Sequence, residues 1–201
     1  MTNGLNNHQK RIKRLFDLFF SFIGLLIFMI PIIILIVLST ISTRKIGLYR
    51  QIRIGLAGEP FILYKIRSMK SGNPLNRITL SNDPRITRFG RIIRTYNLDE
   101  LPQLWNVFIG DMSFVGPRPD VPGYADKLIG KDSVVLSVRP GITGPATLKY
   151  RNEEEILSKE IDPLIYNDQI IWKDKIEINK QYIKNWSLRG DVNYILKTIL
   201  G

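Results

Sequence analysis

The sequence contains no cysteine, and its only histidine is His8, close to the amino terminus. The lack of cysteine excludes disulfide bonds, thiolate nucleophiles and cysteine-bound metals. A single histidine argues against a histidine-based catalytic triad and against a zinc site. Any catalytic groups must therefore come from carboxylate, amine or hydroxyl side chains, and oxygen ligands would favour a hard cation such as Mg²⁺.

Acidic residues are also few, with 18 Asp and Glu against 29 Lys and Arg, which gives a net charge of +11. This excess indicates an anionic partner, such as nucleic acid, an acidic membrane surface or a phosphorylated substrate. Nucleic-acid binding would explain the charge alone, and the apolar segment described next argues against it. The 201 residues suffice for one domain with its own core and some additional segments.

One apolar segment, Leu18 to Thr43, has 26 residues without a charge. As a straight helix it would reach about 39 Å, enough to cross a hydrocarbon layer of about 30 Å. However, Pro31 lies in its middle and removes a backbone hydrogen bond, which favours a bend. Just before the segment, Asp17 lies at helical spacing from Lys13 and Arg14 and could pair with either.

Basic residues flank the segment on both sides. They prefer the cytoplasmic side of a membrane, so a helix that enters, bends and returns satisfies both flanks. A straight signal anchor is the alternative that the residues leave open, because spanning helices tolerate proline. We divide the chain into a basic tail (1–14), a re-entrant membrane helix bent at Pro31 (15–43) and a cytoplasmic domain (44–201).

The predicted fold class is α+β and mainly helical, with one small β-hairpin and amphipathic interfacial helices. Leu48 to Met69 reads as two strands around a Gly-rich turn, which places Lys65 and Arg67 on one strand face. That face is either solvated or directed at substrate phosphates. Residues 71–83 are polar and predict a loop.

Asp83-Pro84 is typical of a helix start, and the predicted helix carries a basic face formed by Arg85, Arg88, Arg91 and Arg94. The face is either solvated or lies on anionic headgroups. Arg94 is the candidate binding residue, since it comes last in this helix and just before an acid pair.

The acid pair, Asp99 and Glu100, opens the next predicted helix, 97–109. A capping box between Asn97 and Glu100 is one explanation. The other is functional, because a helix start next to arginines suits a bound phosphate, and a nearby carboxylate could attack it with a divalent ion offsetting the repulsion.

Two rigid turns each carry one arginine. Arg118 lies between two prolines, and Arg139 precedes Pro140-Gly141, so both are candidate phosphate ligands or exposed turn residues. Residues 149–185 predict a mostly surface helix, which Asp162-Pro163 and Asp174 could cap or break. Within it, Glu153-Glu154-Glu155 reads as a solvated face rather than a metal site. A short helix is expected over 191–200.

Together these segments resemble the monotopic phosphoglycosyl transferases, also called bacterial sugar transferases, and the resemblance covers nearly the whole chain. The matching motifs are Lys13-Arg-Leu-Phe-Asp17, Gln51-Ile-Arg-Ile-Gly55, Lys65-Ile-Arg-Ser-Met69, Asp83-Pro-Arg-Ile-Thr87, Leu98-Asp-Glu-Leu-Pro-Gln-Leu104, Gly110-Asp-Met-Ser113, Gly116-Pro-Arg-Pro119 and Arg139-Pro-Gly-Ile-Thr-Gly144. Their shared order makes chance an unlikely explanation.

The resemblance implies transfer of a sugar-1-phosphate from a nucleoside diphosphate sugar, usually UDP-linked, to polyprenol phosphate at the cytoplasmic face of the bacterial inner membrane. Asp99 matches the nucleophile that forms a covalent phosphosugar intermediate, and Glu100 matches its partner acid. Both are implied ligands of Mg²⁺. Five further residues match basic positions around the substrates: Arg94, Arg118 and Arg139, with Lys65 and Arg67 as weaker candidates.

The implied partners are a nucleotide sugar, polyprenol phosphate and membrane lipid, without nucleic acid. A homodimer is compatible with the sequence, which contains nothing to indicate one. Two departures stand out: Ile30 replaces the serine usual before the mid-helix proline, and Pro145-Ala146-Thr147 replaces the usual residues after Gly144. A non-catalytic protein that binds anionic lipid is the alternative, but it leaves the acid pair between two arginine-bearing segments unexplained.

Overall fold

The structure is a computed structural model that describes residues 4–71 and 83–200. The predicted loop over 71–83 therefore falls largely outside the described residues. The described part of the chain is mainly helical with one antiparallel hairpin, as predicted, and it also contains one small parallel sheet that was not predicted.

Helix α1, Asn7–Thr43, is the longest element. It begins with a capping box between Asn6 and Gln9 and contains Pro31 as part of one uninterrupted helix. Its most apolar 18-residue stretch has a mean hydropathy of 3.1 and is almost wholly exposed, so by length and composition the helix could cross a membrane. An exposed apolar surface of this size needs a cover other than water.

Both flanks of α1 contact the rest of the chain. On the amino-terminal side, the Lys13 ammonium donates to Asp191 at 2.6 Å, and Asp17 accepts from Ser113 Oγ at 3.0 Å. On the carboxyl-terminal side, Ser39 Oγ donates to the carbonyl of residue 67 at 2.5 Å, and Ser42 Oγ to Thr87 Oγ1 at 2.9 Å. The predicted pairing of Asp17 with a basic residue of its own helix was wrong, because buried partners on other elements take these side chains.

The predicted hairpin is confirmed: β1, Leu48–Ile54, pairs with β2, Pro60–Ile66, in an antiparallel register that sets Leu48 opposite Ile66. A short 3₁₀ turn, Leu56–Gly58, connects the strands. Leu63 and Ile66, which lie on opposite faces of β2, are both buried. Asn106 on a later helix fixes the hairpin, since its amide donates to the Ile62 carbonyl at 2.7 Å and accepts from Tyr64 N at 3.1 Å.

Helix α2, Arg88–Thr95, begins four residues later than predicted. The Asp83 carboxylate binds the backbone and guanidinium of Arg85, so it closes a local turn instead of capping a helix. The cap is Thr87, whose Oγ1 accepts from Gly90 N at 2.8 Å. Arg85 consequently lies outside the basic helix.

The predicted helix over 97–109 is two pieces, a 3₁₀ turn at Leu98–Glu100 and helix α3, Gln103–Ile109. Asn97 has a left-handed backbone (φ 53°) and makes no side-chain cap, so the capping box proposed as the alternative does not form. At the other end of α3, Arg14 binds the carbonyls of Val107 and Phe108, which satisfies two acceptors of the last turn.

Strands β3, Ser113–Val115, and β4, Gly141–Thr143, form the parallel sheet. The carboxyl-terminal part is divided as Asp162-Pro163 predicted, since Asp162 caps a new helix, and it also contains a π-helical turn at Asn167–Ile171. Its helices are α4, Pro145–Lys149; α5, Glu153–Ser158; α6, Pro163–Tyr166; α7, Trp172–Lys184; and α8, Leu188–Leu200. The last begins three residues before the predicted start.

Candidate active site

The acid pair occupies the 3₁₀ turn between α2 and α3, in front of β2. Glu100 Oε1 accepts from Lys65 Nζ at 2.8 Å and from Arg118 Nη2 at 2.7 Å. Thus a strand and a proline-bounded loop, neither adjacent to residue 100 in sequence, each bring one cation to the same carboxylate oxygen. Glu100 is thus the carboxylate that holds both cations of the site together.

The two carboxylates differ in their environment. Burial alone would raise the pKa of Glu100, but the charges and hydrogen bonds of Arg118 and Lys65 hold it well below its usual range. Glu100 in turn raises the pKa of Arg118. Glu100 therefore remains ionised and acts as a fixed anchor for both cations.

Asp99 differs from Glu100 in its side-chain contacts. Its side chain is only 8% exposed, and no hydrogen bond or ion pair joins it to another residue in the described ranges. Burial raises its pKa, while nearby Lys65 lowers it and Glu100 raises it further. A desolvated carboxylate without hydrogen-bond donors has its lone pairs available, which suits a nucleophile or a metal ligand.

The Arg118 loop is held from both sides. Gly116 N donates to the Thr143 carbonyl at 2.9 Å, and Gly141 N donates to the Pro117 carbonyl at 2.8 Å. A Cβ on Gly141 would lie 2.1 Å from Gly116 N, so the two segments approach as closely as glycine allows. With proline on either side of Arg118, the guanidinium is presented from a rigid backbone.

The structure brings some of the predicted binding residues together and separates others. Lys65 and Arg118 contact the acid pair directly, and Arg94, which forms an ion pair with Glu154, lies close enough to lower the pKa of Asp99.

Arg67 and Arg139 have other contacts. Arg67 lies 5.1 Å over the Tyr49 ring and donates to the Ile46 carbonyl, whereas Lys65 binds Glu100. Arg139 donates to the Gly110 carbonyl at 2.6 Å, at the end of α3 opposite to the acid pair.

Several site residues were missed by the sequence reasoning. Arg53 donates to the Pro119 carbonyl at 3.0 Å and braces the Arg118 loop; it was part of a matching motif but received no role. Asp120 is next in the chain, and burial raises its pKa to about 7, against the lowering effects of Lys175 and Arg53.

The solvated-face interpretation of the three consecutive glutamates is wrong for two of them. Glu153 pairs with Lys175 at 2.7 Å and Glu154 pairs with Arg94, and both contacts span more than 20 residues of sequence. Only Glu155 behaves as expected, in an exposed pair with Lys159. No local signal in the sequence distinguished the three.

The acid pair offers carboxylate oxygens of the kind that bind a magnesium ion. Both oxygens of Asp99 and Oε2 of Glu100 are outside the hydrogen bonds just described, and they belong to adjacent residues. Among the described residues, no group of three or more Asp, Glu, His or Cys side chains gathers at one point. Because Mg²⁺ is commonly held by one or two carboxylates together with substrate phosphates, this pair fits such an ion.

The fold and site combine a long apolar helix, which by length and composition could cross a membrane, with an acid pair surrounded by basic side chains. Comparison with known families gives the class: residues 8–201 match the bacterial sugar transferase model, and the chain belongs to this family of phosphoglycosyl transferases. The resemblance seen in the sequence motifs is thereby confirmed.

Individual relatives have related names. A protein of Bacillus subtilis named "Uncharacterized sugar transferase EpsL" is 37% identical over 77% of this chain and 70% of its own. The UDP-glucose:undecaprenyl-phosphate glucose-1-phosphate transferase of Escherichia coli is 35% identical over 76% of this chain. The UDP-galactose-lipid carrier transferase of Erwinia amylovora is 34% identical over a similar share. The match covers 32% of the length of each of these last two proteins.

Proposed function

We propose that this protein transfers a sugar-1-phosphate from a UDP-sugar to undecaprenyl phosphate, with release of UMP, as the first membrane step of a bacterial polysaccharide or glycoconjugate. The observation that carries the proposal is the contrast within the acid pair. The negative charge of Glu100 is offset by ion pairs with Lys65 and Arg118, while the Asp99 side chain is buried beside them without a hydrogen bond. The names of the relatives support the substrate classes.

In the first step an oxygen of Asp99 attacks the β-phosphorus of the UDP-sugar. The bond from this phosphorus to the bridging oxygen breaks, UMP leaves with that oxygen, and the sugar phosphate remains as an acyl phosphate on Asp99. In the second step a phosphate oxygen of undecaprenyl phosphate attacks the same phosphorus. The Asp99 carboxylate is regenerated, and the product is a lipid-linked diphosphate sugar.

The remaining side chains provide charge and position. Arg118 and Arg94 can each offer guanidinium donors to phosphate oxygens, and Lys65 holds Glu100 beside the reacting centre. A magnesium ion held by Asp99 and Glu100 would neutralise the negative charge that accumulates between carboxylate and phosphate. Arg53 is a positioning residue, because it acts through the Pro119 carbonyl on the Arg118 loop.

We also propose that α1 is re-entrant and that the domain lies on the cytoplasmic face. The support is that residues near both ends of α1, Lys13 and Ser39, bind the same domain. A straight span would place one flank on the far side of the membrane, away from its partners. Basic residues at both flanks favour the same arrangement.

The activity test uses the full-length protein in detergent or lipid nanodiscs, with undecaprenyl phosphate and a panel of UDP-sugars, and follows UMP release. Asp99→Asn should abolish release, and the matched exposed carboxamide control Asp126→Asn should retain it. Without the lipid acceptor, intact mass spectrometry should detect one added sugar phosphate on wild type and none on Asp99→Asn. Turnover by Asp99→Asn would refute the covalent scheme.

The topology test exploits the cysteine-free sequence. Single cysteines at His8 and Lys45, both exposed and on opposite flanks of the apolar segment, should react with an impermeant maleimide only after the cells are permeabilised. Labelling of either one in intact cells would eliminate the re-entrant arrangement while leaving the activity proposal untouched.

A further inference from the structure

The cations that face the acid pair already have carboxylate partners. Lys65 and Arg118 share Glu100, and Arg94 is held by Glu154 on α5. A substrate diphosphate that enters this site therefore meets guanidinium groups whose charge is already offset by a carboxylate. Arg94 and Arg118 each contact that carboxylate through Nη2, so a phosphate can take this nitrogen only after the ion pair opens.

These ion pairs differ in how firmly they are held. The Glu100 side chain is 13% exposed and receives two cations, and its partner Lys65 is also largely buried. The Glu154 side chain is 43% exposed and has one partner, Arg94. It stands in the first turn of α5, a six-residue helix whose cap residue Asn152 makes no side-chain bond. The Arg94–Glu154 pair is thus the one that can open at least cost.

We propose that Glu154 is a displaceable counterion for Arg94, an inference that rests on the proposed function. In the free protein Glu154 holds the guanidinium next to Asp99. When a nucleoside diphosphate sugar binds, the phosphate replaces the carboxylate on Arg94, and Glu154 turns to solvent. The phosphate oxygens together carry more negative charge than a carboxylate, and they accept hydrogen bonds from the same paired N–H groups of the guanidinium. The exchange is therefore favourable.

This arrangement makes Glu154 a determinant of substrate affinity. Its carboxylate competes with the diphosphate for one arginine, so removal of its charge should tighten binding, whereas a purely structural role in orienting Arg94 would make binding weaker. The neighbouring Glu155 is a matched control: it lies on the same helix, and its charge is committed to Lys159 on the surface.

The test measures the Kd of UDP by calorimetry, with full-length protein in nanodiscs. For Glu154→Gln we expect the Kd to fall about two- to fivefold, the range of a partly exposed ion pair. Glu155→Gln should leave the Kd unchanged. Uridine, which has no phosphate, should bind equally to wild type and Glu154→Gln. A higher or unchanged Kd for UDP in Glu154→Gln would overturn the proposal.

A second variant assigns the effect to the contact. In an Arg94→Gln background, Glu154→Gln should bring no further gain in UDP affinity, because the guanidinium for which the two anions compete is gone. An equal gain in both backgrounds would show general charge repulsion and overturn the exchange.

Wild-type protein that releases UMP while Glu154→Gln binds UDP no more tightly would refute this inference alone. Wild-type protein that neither binds UDP nor turns over any UDP-sugar would refute the proposed function and this inference together.

Discussion

Replacement of Asp191 by Asn should be among the most destabilising conservative changes in the chain. Asp191 on α8 is 1% exposed and accepts from three donors: Lys13 Nζ at 2.6 Å, Tyr182 OH at 2.8 Å and Trp186 Nε1 at 3.0 Å. Lys13 itself is 7% exposed. The variant removes the hydrogen-bonded counterion of an ammonium that is almost wholly buried.

The magnitude follows from these contacts. Breaking a buried ion pair by removing one charge costs about 3–5 kcal/mol, and for a chain of this size that corresponds to a decrease of about 6–20 °C in Tm. The assay is thermal unfolding of the full-length protein in detergent, followed by near-ultraviolet circular dichroism. Lys159→Met, which removes an exposed pair with Glu155, is the control and should cost at most about 0.5 kcal/mol.

The double variant Lys13→Met/Asp191→Asn separates charge from packing. If the loss comes from an unpaired buried ammonium, removing Lys13 as well should restore at least about 1 kcal/mol relative to Asp191→Asn alone. A single Asp191→Asn variant within 1 kcal/mol of wild type, or a double variant whose loss equals the sum of the two single losses, would refute the reasoning.

Three other changes test separate parts of the structure. The effect of Asp120→Asn on stability should depend on pH. The pKa of Asp120 is raised to about 7 in the folded state, against an ordinary 3.8, so the folded state binds a proton that the unfolded state has lost. Wild-type stability therefore falls as pH rises from about 4 to 7. The Tm of Asp120→Asn relative to wild type should therefore increase between pH 5 and 8, by the equivalent of about 2 kcal/mol after halving the full shift for partial exposure, and a constant difference would contradict this. Gly90→Ala should destabilise, against the usual gain of about 0.5–1 kcal/mol for this change inside a helix, because a Cβ would lie 1.9 Å from the Ser68 carbonyl oxygen; a Tm at or above wild type would contradict it. Asn106→Ala should cost about 2–4 kcal/mol in denaturant unfolding, since it leaves the Ile62 carbonyl and a β2 amide without partners, and a loss below 1 kcal/mol would argue against that bridge.

Local patterns in the sequence predicted the elements that depend on neighbouring residues. The hairpin follows from alternation in β2 and a Gly-rich turn, and the rigid presentation of Arg118 follows from its two prolines. The acid pair was placed correctly at the start of a helical segment. In each case the residues that decide the conformation lie within a few positions of it.

The predictions were wrong where a side chain has both a local and a distant partner available to it. Asp83 could cap a helix, yet it binds Arg85, and α2 begins at Arg88 with Thr87 as its cap. The partner of Arg94 lies 60 residues further along the chain, and three consecutive glutamates offer no clue to which one it is. Such choices depend on the tertiary arrangement, which periodicity does not encode.

The contacts of α1 also constrain the order in which this protein can mature. Lys13 and Asp17 leave the ribosome well before their buried partners, which lie 178 and 96 residues downstream. Until those partners are synthesised, the two charges must remain hydrated beside the apolar stretch. Completion of the globular part is then a late event, because the buried pair of Lys13 waits for α8 to emerge.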